Sequence, residues 1–233
     1  MPVHIHPTAA LAPRVLLPGD PGRALALAQL LLAEPKMFNH NRGLWGYSGE
    51  AADGELLTIQ STGMGGPSAA IVMEELCDLG LCCAIRLGTC GALADGLALG
   101  ELVVADEALA IDGTSQALGA GERVAADGDL VAALRAAAGD GVRTGAVATC
   151  DLFYERDGAR VAEWAAAGAL AVEMEAATIL RVAELRGVRA ACLLAVTDVF
   201  DDGERRRIHA DGLALAGERL GAVAAKALAA ATL

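Results

Sequence analysis

Short apolar runs rich in Val, Leu and Ile recur along the chain between longer Ala/Leu-rich stretches of helical period, with polar or glycine-rich breaks between them. This alternation predicts an α/β fold, a largely parallel or mixed sheet flanked by helices. Strands are expected at Arg14–Leu17 and Leu56–Thr62, and in AIRL (84–87), ELVVADEAL (101–109), GAVAT (145–149), ALAV (169–172) and ACLLAVTD (191–198). Helices are expected from about Pro21, over Pro67–Leu79, and near Leu130–Ala138, Ala159–Ala167, Met174–Arg186 and Ala210–Ala230. Pro67 suits a helix start and Gly80 a stop. The Ala/Gly-rich stretch Ala117–Gly128 is the expected flexible surface excursion. No fixed-period repeat and no low-complexity linker interrupts the pattern, so the chain reads as one domain, 1–233.

Several of these strands end in polar or glycine-rich turns: PGDPGR, STGMGGPS, RLGTCG, TCDLFY and VTDVFDD. Ligands of open α/β sheets bind beyond the carboxyl ends of the strands, so the turns are expected to converge on one site. In AIRLGTCGAL a full positive charge, Arg86, ends an apolar run just before a turn formed by Gly88, Thr89, Cys90 and Gly91. Burying a guanidinium costs several kcal/mol unless an anion or a paired carboxylate meets it.

Composition narrows the ligand. The formal net charge of -12 opposes nucleic acid and anionic membranes, and three Phe, two Trp and two Tyr leave few stacking platforms for single strands. The N-terminus lacks a basic segment followed by an apolar core, and no span has the length and apolarity of a membrane helix, so a cytoplasmic location is expected. Six cysteines lie mostly in apolar runs without CxxC pairs and read as reduced core residues. Among four histidines only His4 and His6 are close, and no metal site is expected.

Specific residues then suggest an oxyanion and a sugar. PGDPGR offers free N–H groups at a helix start, with Arg23 in its first turn, although an ordinary Pro-Asp turn with an exposed arginine looks the same. Thr89 adds a hydroxyl and Gly88 an unobstructed backbone. STGMGGPS lacks both the GKS/T ending of a triphosphate loop and GxGxxG spacing, and reads as a turn that lets neighbouring chain approach. Glu173 and Glu175 stand at a helix start, where carboxylates serve as caps, or at a strand end, where they bind vicinal hydroxyls with Met174 against the ring. Asp198 follows an apolar run, where it is a turn acid or a general acid. Phe153 is placed to stack on a base or to sit in the core.

LLPGDPGRA, NRGLWGYSG, STGMGGPSAAIVMEEL, IRLGTCGAL, DLFY, VEMEAA and AVTD, in this order, resemble the family of bacterial purine nucleoside phosphorylases and uridine phosphorylases. The resemblance implies a mixed central sheet closing toward a barrel, flanked by helices, and phosphorolysis of a nucleoside to free base and pentose 1-phosphate. It implies no cofactor beyond inorganic phosphate as co-substrate. By resemblance, Gly19, Arg23, Arg86, Gly88 and Thr89 hold phosphate, joined by Arg42 from a neighbouring subunit. His4, or His6 close to it, reaches the ribose 5′-hydroxyl from the neighbour; Glu175 takes the ribose hydroxyls and Met174 packs on the sugar. Cys90, Gly91, Phe153, Glu173 and Thr197 line the base pocket, with Asp198 as the acid facing N7. This makes a homo-oligomer, in the family a hexamer built from dimers, the expected state.

The DLFY segment is followed by ERDGARVAEW, without the glutamine of the uridine enzymes, which favours purines over the alternatives uridine and 5′-methylthioadenosine. One departure is visible. In the purine enzymes an arginine on the helix after the acid poises it, whereas DDGERRRIHADG has Asp211 near that position. Arg205, Arg206 or Arg207 stands in for it if the loop folds back.

Overall fold

The computed structural model describes residues 2–201 and 204–231. Its first half runs β1 (Arg14–Pro18), α1 (Pro21–Leu31), β2 (Ala33–Asn39), a single 3-10 turn (Asn41–Gly43), β3 (Gly46–Glu50), β4 (Leu56–Gln60), α2 (Gly66–Asp78) and β5 (Cys83–Ala92). The second half runs β6 (Leu102–Ala110), α3 (Gly113–Ala117), β7 (Arg123–Ala125), α4 (Gly128–Ala138), β8 (Arg143–Thr149) and α5 (Gly158–Ala166). It ends with β9 (Ala171–Glu173), α6 (Ala176–Arg186), β10 (Arg189–Asp201), β11 (Glu204–Arg207) and α7 (Ala210–Ala230).

The strands form one mixed sheet in which β10, β6, β8, β9 and β5 close into a ring. Closure depends on the length of β5. It pairs with β10 along one edge and β1 along the other, and its last residues, beyond the end of β1, pair with β9. From β1 the sheet continues outward through β4, β3 and β2. Period-two alternation divides the apolar side chains between two faces. Cys83, Ile85 and Leu87 of β5 join Leu27 of α1, Leu130 of α4 and Leu220 of α7 in one core. Ala84 and Cys90 face the other way, with Val72 and Met73 of α2 and Ile179 of α6. Among the described residues no helix is long and apolar enough to cross a membrane.

The structure departs from the sequence expectations at four places. The RLGTCG stretch is not a turn, because β5 runs straight through Gly88–Gly91. Its glycine has a steric reason: a Cβ on Gly88 would lie 2.8 Å from both Arg86 Nη2 and Leu194 Cδ2. The stretch Ala117–Gly128 is not simply a loop, since Arg123–Ala125 forms β7 on the edge of β6. Asp198 lies inside β10 rather than at its end, since the strand runs on to Asp201, and β11 folds back antiparallel on that strand. Asp202 and Gly203, which follow β10 in the sequence, lie outside the described residues. The helix expected from Met174 begins at Ala176, with Glu175 in the cap position.

Candidate active site

The ends of β1, β4, β8 and β9, the middle of β5 and the β10–β11 hairpin surround a cavity of about 500 Å³. One end is cationic. Asp20 caps α1, its Oδ2 accepting from Arg23 N at 2.6 Å, and thereby fixes the helix N-terminus and Gly19 at the cavity wall. Burial pushes the Arg23 pKa down; Asp20 partly opposes this, and the like charge of Arg86 adds to the fall. Two guanidiniums close enough to repel, beside a helix N-terminus, constitute an anion site.

Arg86 is only partly available to an outside anion. Nε donates to Glu173 Oε2 at 2.8 Å and Nη2 pairs with Glu175 Oε2, so two carboxylates of the same chain meet the charge that the sequence left unexplained. Burial alone would lower the Arg86 pKa, but the facing Glu175 and Glu173 outweigh it and the net direction is up, so the group stays charged. Nη1 is buried with no partner. An orphaned guanidinium nitrogen at a cavity wall fits a bound oxyanion. Thr89 stands beside it, half-buried.

The middle of the cavity is acidic. Glu173 is committed on both oxygens: Oε2 also accepts from Glu175 N at 2.9 Å, and Oε1 accepts from Thr149 Oγ1 at 2.6 Å and Ala176 N at 2.9 Å. Its carboxylate thus caps α6 and orients Arg86, while Glu173 itself lines the cavity. Glu175 keeps free acceptor capacity, holding Gly65 N at 2.5 Å through Oε1. Burial raises its pKa, against the lowering effect of Arg86. The glycine turn permits this contact: Gly65 has φ 84°, and a Cβ on Gly66 would lie 2.8 Å from both Thr114 Cβ and Thr178 Oγ1. Met174 lines the wall between the two carboxylates.

At the far end the β10–β5 register slips between Val196 and Asp198, leaving Thr197 as a bulge. Bulges re-aim side chains, and here Asp198 lines the cavity while only 6% exposed. Its Oδ2 accepts from Thr197 Oγ1 at 2.9 Å and its Oδ1 from Arg205 Nε at 2.8 Å. Cys90 and Gly91 back this end, and Phe153, half-exposed, has Arg205 Cζ 5.2 Å from its ring centroid. The hairpin was legible in an Asp-Gly pair between VFD and ERR, a strong two-residue hairpin signal. The bulge left no sequence signal, and neither did the bond from Thr149 Oγ1 to Glu173.

His4 and Arg42 lie away from this cavity but next to each other. Asn41 Nδ2 donates to His4 O at 2.9 Å, and Glu75 binds the amides of Val3, His4 and Ile5 and, at 2.7 Å, His4 Nδ1. Arg42 is exposed and holds φ 55°, a left-handed conformation disfavoured for a side chain with a Cβ.

Residues 13–230 match the family model of the Phosphorylase superfamily. Among curated proteins, the chain is 36% identical over 211 residues to a purine nucleoside phosphorylase DeoD-type of Clostridium beijerinckii, covering 88% of this chain and 89% of that protein. It is also 36% identical over 200 residues to a guanosine phosphorylase of Halorubrum lacusprofundi, covering 84% and 82%. Among solved structures, a uridine phosphorylase from Vibrio fischeri superposes with a TM-score of 0.81 at 28% identity, covering 94% of this chain and 91% of that one.

Proposed function

We propose, from the premise that this chain belongs to the phosphorylase superfamily, that it cleaves purine nucleosides with inorganic phosphate. Phosphate lies against Gly19 and Arg23, takes a hydrogen bond from Arg86 Nη1, and rests on Gly88 and Thr89. Glu175 accepts from the ribose hydroxyls and Met174 packs on the sugar. The base lies toward Cys90, Gly91 and Phe153. A phosphate oxygen attacks the anomeric carbon and forms the new C–O bond as the bond to N9 breaks. The bonding electrons pass into the purine, and N7 takes the proton of Asp198, giving free base and pentose 1-phosphate. The carboxylate left behind is held by Thr197 Oγ1 and Arg205. His4 and Arg42 serve the cavity of a neighbouring subunit in a homo-oligomer.

One observation carries the reading. A buried guanidinium nitrogen without a partner stands at one end of the cavity, and a buried carboxyl, re-aimed by a bulge, stands at the other. An anion site, a carboxylate with free acceptor capacity and an acid on the walls of one cavity are what phosphorolysis of a nucleoside needs.

The test is phosphate-dependent turnover of inosine, adenosine, uridine and 5′-methylthioadenosine followed by absorbance. Purine nucleosides are expected to react fastest, and Asp198→Asn to lower inosine turnover by about a hundredfold or more, the scale of a general acid. The likeness to the Vibrio fischeri enzyme favours uridine as the rival substrate. Faster turnover of uridine than of inosine would decide for it.

A further inference from the structure

Arg205 does more at the base end of the cavity than neutralise Asp198. In the hairpin register it stands opposite Phe200, which places it on the same face as Asp198 two residues away. Two contacts fix the plane of its guanidinium: the 2.8 Å bond from Nε to Asp198 Oδ1, and the ring of Phe153 5.2 Å from Cζ. Among the described residues its bonded acceptor is Asp198, reached through Nε and not through the terminal Nη groups, and Arg205 lines the cavity. Arg207, opposite Asp198, is 3.8 Å from Oδ1 and 57% exposed, too distant to share this position.

A guanidinium offers donors only. A purine whose N7 faces Asp198 presents its 6-substituent next along the same edge, toward the group bonded to that carboxylate. An oxygen at position 6 accepts from Nη, whereas an amino group there sets donor against donor. Arginine bonded to O6 and N7 is the commonest specific contact to guanine in protein–DNA interfaces, while adenine is read by asparagine or glutamine. We infer that Arg205 selects 6-oxopurine nucleosides over 6-aminopurine nucleosides by donating from its Nη groups to O6. This rests on purine phosphorolysis at the same site.

The experiment compares kcat/KM for inosine, adenosine, uridine and 7-methylinosine in the full-length protein and in Arg205→Met, Arg205→Gln and Asp198→Asn. Inosine is expected to exceed adenosine in the wild type. Arg205→Met, which keeps an unbranched stem against Phe153, should lose about tenfold to a hundredfold more on inosine than on adenosine, the worth of a hydrogen bond from a charged donor. Arg205→Gln should move the preference toward adenosine. In 7-methylinosine N7 already carries a methyl group and a positive charge, so no proton is needed there. Its turnover should therefore survive Asp198→Asn yet fall with Arg205→Met. Equal losses on inosine and adenosine overturn the inference, as does wild-type handling of 7-methylinosine by Arg205→Met, because either result routes the arginine's effect through Asp198 alone. Failure of the purine reading itself is separable, since it appears in the wild type as uridine outpacing both purine nucleosides.

Discussion

A single hydrogen atom at position 88 decides whether Arg86 can lie where it does. The guanidinium reaches forward along β5, and its Nη2 occupies the space a Cβ on Gly88 would need, with Leu194 closing the other side at the same 2.8 Å. Leu194 belongs to the packed face of β10 and cannot retreat, so the arginine must move instead. Moving it breaks its contacts to Glu173 and Glu175 and leaves two buried carboxylates without their cation. Gly88→Ala is therefore expected to destabilise the fold by about 1–3 kcal/mol and to raise the KM for phosphate more than that for the nucleoside. Urea unfolding and steady-state kinetics measure the two effects. An unchanged midpoint together with an unchanged phosphate KM would show that Arg86 has another resting place. The same residue explains how the sequence both raised the right question and answered it incompletely. A charge in a strand required a counter-charge, but no local pattern told that Glu173, 87 positions away, would supply it.

Among the elements, the N-terminal segment is held least by apolar packing and most by one side chain. Ile5 is its buried anchor, and Glu75 of α2 gathers the amides of residues 3–5 and the ring of His4. Burial alone would push the Glu75 carboxyl up, yet the Ile5 amide, the His4 ring and the remaining amides outweigh it and hold it down at about 2. Since the folded value lies below the ordinary 4.5, this clamp contributes fully above pH 4.5 and is lost as the pH falls toward 2. Amide exchange at Val3, His4 and Ile5, corrected for its intrinsic pH dependence, should rise through that window and should already be raised at neutral pH in Glu75→Gln. Protection that ignores both changes would mean other contacts seat the segment. Elements such as this one mark the limit of what periodicity reveals. Helix α7 was readable to the residue and α4 to within two, because long Ala/Leu patterns carry strong signals. β2, with its run of exposed residues AEPKM, and the three-residue β7 were not, since short edge strands owe their conformation to pairing partners rather than to their own pattern. The candidate site was legible where ordered motifs carried it, and illegible where a bulge at Thr197 or the bond from Thr149 to Glu173 set the geometry.

At the scale of the whole molecule, neither His4 nor Arg42 lines the cavity. Arg42 is kept in a left-handed conformation on the outside of the chain, and Asn41 ties its turn to the segment carrying His4. Backbone strain that the fold maintains at an exposed arginine is explained if that arginine completes a site elsewhere. A two-fold dimer in which each subunit lends this surface to the other's cavity would do so. The arrangement has a quantitative signature. Arg42→Ala damages the site in the neighbour, whereas Asp198→Asn damages the site in its own subunit. When the two variants exchange subunits, a mixed dimer holds one site carrying both substitutions and one carrying neither. With random pairing half of the dimers are mixed, so about a quarter of wild-type inosine turnover should return from two nearly inactive parents. If Arg42 instead served its own chain, every site in the mixture would carry one of the two lesions, and turnover would remain at the mean of the parents however long exchange proceeded; if it served no chain, the Arg42→Ala parent would already be active before exchange.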